Sequence, residues 1–143
     1  MYFCSIISNG SMQNILILKP SMDETVHLHP FVSQAAEAAG IDSKGAKRLR
    51  LAVDEAVANV INYGQASAIT LCVTIEADEL VLTIDDDGVP FDPTQGTKTD
   101  LTVPADERPP GGMGIILMHQ MTDSLSYRRA GGHNILRMGK RKN

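Results

Sequence analysis

The sequence contains few aromatic residues and only two cysteines. Tryptophan is absent, and only three tyrosines and three phenylalanines occur among the 143 residues. Because 43% of the chain is nevertheless hydrophobic, aliphatic side chains must fill the core. Two cysteines, Cys4 and Cys72, suggest neither a disulfide framework nor a zinc site. We therefore expect one domain with an aliphatic core, which a chain of this length is large enough to form.

An excess of positive charge and long apolar runs are also missing. The net charge of −4 argues against binding of nucleic acid through a broad basic surface, so we expect no direct nucleic-acid partner. No apolar run approaches the roughly 20 residues that a membrane-spanning helix needs. The first residues lack the charged front and the apolar stretch of a signal peptide. These absences predict a soluble, cytoplasmic protein without a membrane partner.

Hydrophobic periodicity predicts an α+β fold. Spacings of three and four residues indicate helices over residues 22–39, 43–63 and 112–121. Alternating or short apolar runs indicate strands over residues 14–19, 68–76, 80–85, 124–129 and 133–138. Residues 1–12 are predicted to be irregular, and residues 13–140 to form a single domain. This order of elements predicts a two-layer sandwich, with one mixed sheet of about five strands and all helices on one face.

The first segment with chemical potential lies on the second predicted helix. Glu55 and Asn59 are one turn apart and share a helix face. Asn59 offers a neutral oxygen to Mg²⁺, which usually takes its other ligands from water and phosphates. Glu55 is placed to accept a proton from an attacking hydroxyl or to orient a water molecule. A polar stripe that simply faces solvent is the alternative interpretation.

The second segment follows a predicted strand. A period of two places Asp86 on the same face as the apolar residues Leu80, Leu82 and Ile84. If that face packs on the helices, Asp86 is buried and needs hydrogen-bond donors. The amino group of an adenine is one candidate donor, and a helix cap or a lysine is another. Gly88 removes a side chain where a ring could approach, although a plain Asp-Gly turn explains it equally well.

The third segment, Gly111-Gly112-Met113-Gly114, leads into the last predicted helix. It follows the long stretch 88–111, and long loops without secondary structure are usually functional. Glycines at the start of a helix expose amide groups that can bind phosphate. This is not a Walker loop, because no Gly-Lys-Ser/Thr follows. Arg108, three residues before the glycines, either reaches a terminal phosphate or is solvated.

These segments, in this order, resemble the superfamily of ATPases and kinases that includes gyrase, the mismatch-repair ATPases, the heat-shock chaperone and the histidine kinases. The segments Glu55-x-x-x-Asn59, Asp86-x-Gly88 and Gly111-Gly112-x-Gly114 are similar to its three nucleotide-binding boxes. Two longer sequences further resemble those of the anti-sigma factor serine/threonine kinases of bacterial partner-switching systems. They are Asp-Gly-Val-Pro-Phe-Asp-Pro (87–93) and Gly-Gly-Met-Gly-Ile-Ile-Leu-Met (111–118).

The resemblance implies a Bergerat-type ATP-binding fold with ATP and Mg²⁺ as cofactors. Glu55 would be the catalytic base, Asn59 the Mg²⁺ ligand, and Asp86 the residue that recognises the adenine amino group. Gly88 and the segment 111–114, including Met113, would shape the pocket and its lid, and Arg108 matches only loosely. The protein would sequester a sigma factor and phosphorylate a serine or threonine of a small anti-anti-sigma antagonist. The family also implies a homodimer.

Three other functions remain open at the level of the sequence. The main alternative is a regulatory module that responds to nucleotide without significant kinase activity. Glu55 disfavours it, because a module that only binds nucleotide needs no acid one turn before the metal ligand. A histidine-kinase catalytic domain is disfavoured by the lack of a phosphoacceptor helix pair, and a self-contained ATPase by the lack of a transducer domain.

Overall fold

The protein is an antiparallel sheet covered on one face by helices. The computed structural model describes residues 2–8, 11–94 and 112–142, with side chains over 14–94 and 116–142. Within this part of the chain the sheet has six strands in the order β1-β2-β3-β4-β6-β5. The strands are β1 (Tyr2–Ser8), β2 (Ser11–Leu18), β3 (Ile69–Glu76), β4 (Glu79–Asp86), β5 (Ser124–Ala130) and β6 (His133–Arg141).

The predicted two-layer α+β sandwich is confirmed, but the description of its sheet was wrong in two respects. Every neighbouring pair of strands is antiparallel, so the sheet is not mixed. Residues 1–12 were expected to be irregular, whereas β1 pairs with β2 from Tyr2 opposite Ile17 to Ser8 opposite Ser11. The physical reason is that pairing in a hairpin gives hydrogen-bond partners to the backbone groups of this segment. Its apolar pattern alone is too short to identify a strand.

In the described residues three α-helices cover the sheet: α1 (Leu28–Ala38), α2 (Ser43–Asn59) and α3 (Gly112–Met121). The Asp42 carboxylate caps α2 by accepting a hydrogen bond of 2.8 Å from the Gly45 amide. The predicted helix over residues 22–39 divides into a 3₁₀ helix (Met22–His27) and α1. Pro30 lies in the first turn of α1, where an amide hydrogen has no helical partner. Among the described residues, no helix is long and apolar enough to cross a membrane.

The core lies between α1, α2, α3 and one face of the sheet. Where side chains are described, alternate strand residues point into it and the residues between them face away. The buried strand residues include Leu16, Leu18, Ile69, Leu71, Val73, Leu80, Leu82, Ile84, Leu136 and Met138, and α2 contributes Leu49, Ala52, Val53, Ala56 and Val57. Asp86 and Asn134 continue these inward rows and are register partners on β4 and β6, so two polar side chains meet at one end of the core.

α2 does not end at Asn59 in the ordinary way. The chain continues through one π-helical turn, Val60–Gly64, and leaves it at Gln65 in the left-handed conformation with φ 55°. The helix predicted over residues 43–63 matches the combined length of α2 and the π turn, but the π turn itself is not predicted. A π turn contains an extra residue per turn and is frequent at functional sites. Here it brings Val60, Tyr63 and Gly64 to the same end of the core as Asp86.

Candidate functional site

An apolar cavity, partly open to solvent, lies where α2, its π turn and the adjoining ends of β4 and β6 meet. A few polar groups interrupt its apolar wall, as is usual in pockets that bind small molecules. The lining residues are Ala56, Asn59, Val60, Tyr63, Gly64, Ile84, Asp86, Val89, Pro90, Phe91, Pro93, Met118, Tyr127, Asn134 and Leu136. Asn59 of the first predicted segment and Asp86 of the second therefore line one cavity, although they are 27 residues apart in the sequence.

Asp86 is the buried carboxylate of the cavity, with only 4% of its surface exposed. Its Oδ1 accepts two hydrogen bonds, from the Gly88 amide at 2.9 Å and from Asn134 Nδ2 at 3.0 Å. Within the described parts of the chain nothing donates to its Oδ2. The predicted burial of Asp86 is thus confirmed, and one carboxylate oxygen remains available for a donor of a ligand.

The two neighbouring aspartates are occupied outside the cavity. Asp85 Oδ1 lies 2.5 Å from Nδ1 of His133 on the adjoining strand. Asp87 is exposed and accepts hydrogen bonds from the Ser67 hydroxyl, from the Ser67 amide at 2.7 Å and from the Ala68 amide. These hydrogen bonds lower the pKa of Asp87 to about 2, and the bond from the Ser67 hydroxyl has the largest effect. Of the three consecutive aspartates, only Asp86 reaches the cavity.

Asn134 is the site residue that the sequence analysis missed. It is 5% exposed, and its Nδ2 donates to Asp86 Oδ1 and, at 2.8 Å, to the Val89 carbonyl. Its Oδ1 accepts from the Tyr127 hydroxyl at 2.6 Å and from the Phe91 amide at 3.2 Å. A signal existed, because Asn134 interrupts the inward-facing row that Leu136 and Met138 continue, as Asp86 does on β4.

Gly88 is required by a close approach of protein backbone. A Cβ at this position would lie 2.3 Å from the Gly64 carbonyl oxygen, which already accepts a 2.8 Å hydrogen bond from the Val89 amide. Arg129 donates to the Gly88 carbonyl at 2.8 Å. The space that the sequence analysis reserved for a ligand ring is therefore occupied by the end of the π turn. Gly88 supports the cavity by fixing the turn after β4 against α2.

Asn59 carries a buried donor without a partner at the cavity. It is 8% exposed, and its Nδ2 is buried without a hydrogen-bond partner in the described structure. Leaving a buried amide unsatisfied costs about 1–3 kcal/mol, so such a group is expected where a ligand completes the site. The nitrogen can donate to a phosphate oxygen, and the side-chain oxygen is the atom that would bind Mg²⁺. The residues present therefore fit a nucleotide with its metal ion. In the described regions no cluster of three or more His, Cys, Asp or Glu side chains could hold a metal ion by itself.

Glu55 faces a different opening. Although it lies one turn before Asn59, it lines a groove between the 3₁₀ helix and α2 rather than the cavity. The other groove residues are Met22, Thr25, Val26, Leu28, His29, Asp54 and Ala58, and His29 Nε2 lies 3.1 Å from Asp54 Oδ2. The predicted polar face of α2 is thus divided, with Asn59 on the cavity and Glu55 on the groove.

The glycine segment is only partly within the described structure. α3 begins at Gly112 and ends at Met121, as predicted, so Gly112 and Gly114 belong to its first turn. Arg108 and Gly111 lie outside the described residues, as does the side chain of Met113. Further along α3, Met118 is buried and forms part of the cavity wall.

Comparison with known proteins agrees with this geometry. The chain shares 37% identity with the serine/threonine-protein kinase BtrW of Bordetella bronchiseptica over 92 residues, which are 62% of this chain and 65% of that protein. The match thus spans somewhat less than two thirds of the relative. The fold is similar to that of the Acinetobacter baumannii histidine kinase AdeS, with a TM-score of 0.53 and 16% identity over 91% of this chain and 68% of that one.

A family model adds the assignment. Residues 20–140, nearly the whole chain, match the model described as the histidine kinase-like ATPase domain. Such a domain implies binding of ATP, for which Asp86 at the cavity wall offers a free acceptor. The chain belongs to the family of histidine kinase-like ATPase domains.

Proposed function

We propose that this protein is an ATP- and Mg²⁺-dependent protein kinase that phosphorylates a serine or threonine of a small anti-anti-sigma antagonist and also sequesters a sigma factor. The observation that carries the nucleotide part is Asp86, buried at the wall of an apolar cavity with Oδ2 left without a donor among the described residues. The name of the relative, a serine/threonine-protein kinase, supports the transfer to protein. Both partners, and a homodimer, follow from the resemblance of the sequence motifs.

Each site residue has a separate task in this proposal. Asp86 Oδ2 accepts a hydrogen bond from the amino group of adenine, and the apolar wall excludes water from the ring. Asn59 holds Mg²⁺, which when bound neutralises charge on the phosphates. The amides at the start of α3 face the phosphate chain, as at other helix N-termini.

Glu55 and its groove belong to the protein substrate. The acceptor hydroxyl approaches through the groove, and Glu55 takes its proton as the oxygen bonds to the γ-phosphorus and the bond to ADP breaks. Met22 and Val26 line the groove with exposed apolar surface that a peptide segment can cover. Because Glu55 does not line the cavity, the triphosphate in this proposal has to extend from the cavity along the last turn of α2 to the groove.

The same separation favours a second candidate function. If Glu55 never approaches the nucleotide, the protein is a nucleotide-responsive regulatory module without significant kinase activity. The sequence disfavours this candidate through the presence of Glu55, and the structure favours it through the position of Glu55 on the groove.

Two linked measurements distinguish these functions. Calorimetry with ATP and ADP, with and without Mg²⁺, tests the cavity, and we expect saturable binding that Mg²⁺ strengthens. Incubation with γ-labelled ATP and proteins of the source cell then tests transfer, with phosphoserine or phosphothreonine located by mass spectrometry. Binding with transfer supports the kinase, and binding without transfer supports the regulatory module. No binding at millimolar nucleotide would rule out both.

A further inference from the structure

The orientation of the Asn134 amide is determined by its neighbours. The Phe91 amide can only donate a hydrogen bond, so the atom 3.2 Å away must be the side-chain oxygen of Asn134. The Val89 carbonyl can only accept, so the atom 2.8 Å away must be the nitrogen. These two backbone groups exclude the flipped amide. Nδ2 therefore presents its second hydrogen to Asp86 Oδ1.

This orientation determines where the second oxygen of Asp86 lies. With the Gly88 amide and Asn134 Nδ2 both donating to Oδ1, turning the plane of the carboxylate would strain two hydrogen bonds. Without Asn134, one bond from the Gly88 amide remains, and the carboxylate can turn about it, so the position of the free oxygen is no longer fixed. The Val89 carbonyl and the Phe91 amide, which flank the cavity, would lose their partner at the same time.

We propose that Asn134 is a positioning residue that gives the cavity its selectivity for adenine, by holding Asp86 so that Oδ2 accepts from the exocyclic amino group. This inference rests on the proposed adenine role of Asp86 and adds a second residue to it. Selectivity follows because an acceptor in a fixed position binds a purine with a donor at C6 more tightly than a purine without that donor. Asn134 itself makes four hydrogen bonds to protein and needs none from the ligand.

The test compares two nucleotides that differ only in the amino group, ATP and purine riboside triphosphate. For the unaltered protein we expect roughly tenfold or stronger preference for ATP, as for a hydrogen bond to a charged acceptor. Asn134→Ala should reduce this preference to within about twofold of unity, because Asp86 is no longer held. Asn134→Ser, whose side chain is too short to make the hydrogen bonds to Asp86 and to the Val89 carbonyl together, should have the same effect. It keeps the proposal testable if Asn134→Ala does not fold.

Ser67→Ala is the matched control, since Ser67 tethers the neighbouring Asp87 from outside the cavity. It should leave the preference for ATP unchanged within about twofold. If the Asn134 variants retain the full preference, Asn134 is not the positioning residue, while the adenine role of Asp86 stands. If the unaltered protein shows no preference, the adenine role of Asp86 and this inference both fail. Loss of preference in Ser67→Ala as well would mean that any loosening of the turn has this effect.

Discussion

Two polar parts of the cavity wall are built in opposite ways, and we call them the fixed end (Asp86 and Asn134) and the incomplete end (Asn59). At one end, Asp86 Oδ1 and every polar atom of the Asn134 side chain are hydrogen-bonded to protein. At the other end, the buried Nδ2 of Asn59 has no partner among the described residues. The first end is therefore fixed before a ligand arrives, and it leaves one defined acceptor, Asp86 Oδ2. The second end is incomplete, and we infer that the ligand completes it.

This difference agrees with the proposed function, in which Asp86 binds the base and Asn59 the metal ion. A base is recognised by the direction of its hydrogen bonds, so a rigid acceptor increases discrimination. Phosphates and a metal ion would change during the reaction, so the groups around them would gain by being free to rearrange. The cost is an unsatisfied amide of about 1–3 kcal/mol in the unliganded protein. That cost is small enough for a domain of this size to tolerate.

The largest effect is expected from Glu55→Gln, which tests whether the groove belongs to the reaction. Glutamine keeps the size of the side chain but cannot accept the hydroxyl proton, so phosphoryl transfer should fall about a hundredfold or more. ATP affinity should not change, because Glu55 does not line the cavity. The measurement is transfer from labelled ATP beside calorimetry. Glu37→Gln, an exposed acid on α1, is the control. Transfer at an unchanged rate would remove Glu55 as the base.

A smaller effect is expected from Asp86→Asn, which disturbs the fixed end. The substituted amide must turn its oxygen toward the Gly88 and Asn134 donors, so its nitrogen meets the adenine amino group as a second donor. Adenine nucleotide affinity should fall roughly tenfold to a hundredfold. Calorimetry measures it, with the exposed neighbour Asp87→Asn as control. Equal affinities of the Asp86 variant and the unaltered protein would exclude the adenine assignment.

The incomplete end makes a different prediction for Asn59→Leu. Because the buried Nδ2 has no described partner, an apolar side chain of the same branched shape should leave the free energy of unfolding unchanged or raise it by about 1 kcal/mol. The strengthening of ATP binding by Mg²⁺ should disappear. Asn134→Leu should instead lower the free energy of unfolding by about 2 kcal/mol or more, since it removes the partner of several buried groups. Urea unfolding without nucleotide measures both. A large loss of stability in Asn59→Leu would contradict the contrast.

Much of this arrangement could be predicted from local sequence patterns. The alternation Leu80, Leu82, Ile84, Asp86 gave the burial of Asp86, because a period of two assigns faces without knowledge of the partner strand. The glycines followed by an apolar run gave the bounds of α3. The roles of Glu55, Asn59, Gly112 and Gly114 stay predictions.

What could not be predicted depends on partners distant in sequence. Asn134 acquires its role because β4 and β6 pair in one register, which places it opposite Asp86. The π turn after Asn59 ends at Gly64, whose carbonyl accepts a hydrogen bond from the distant Val89 amide, and helix periodicity does not indicate such a turn. The hairpin of β1 and β2 had a local signal, since Asn9-Gly10 is a favoured hairpin dipeptide, but residues 1–12 are predicted above to be irregular.

The smallest effect concerns Asp87, which tethers the turn from outside the cavity. Its pKa of about 2 lies below its ordinary value near 3.8, so its hydrogen bonds stabilise the folded state above pH 3.8 and lose this effect as the pH falls toward 2. Ser67→Ala removes the largest cause of the lowered pKa. We expect the variant to be less stable than the unaltered protein at pH 5, with the difference shrinking between pH 3.8 and 2. Urea unfolding across this range measures it, and Ser126→Ala, an exposed serine of β5, is the control. A difference that stays constant down to pH 2 would show that Ser67 acts through packing and not through the charge of Asp87.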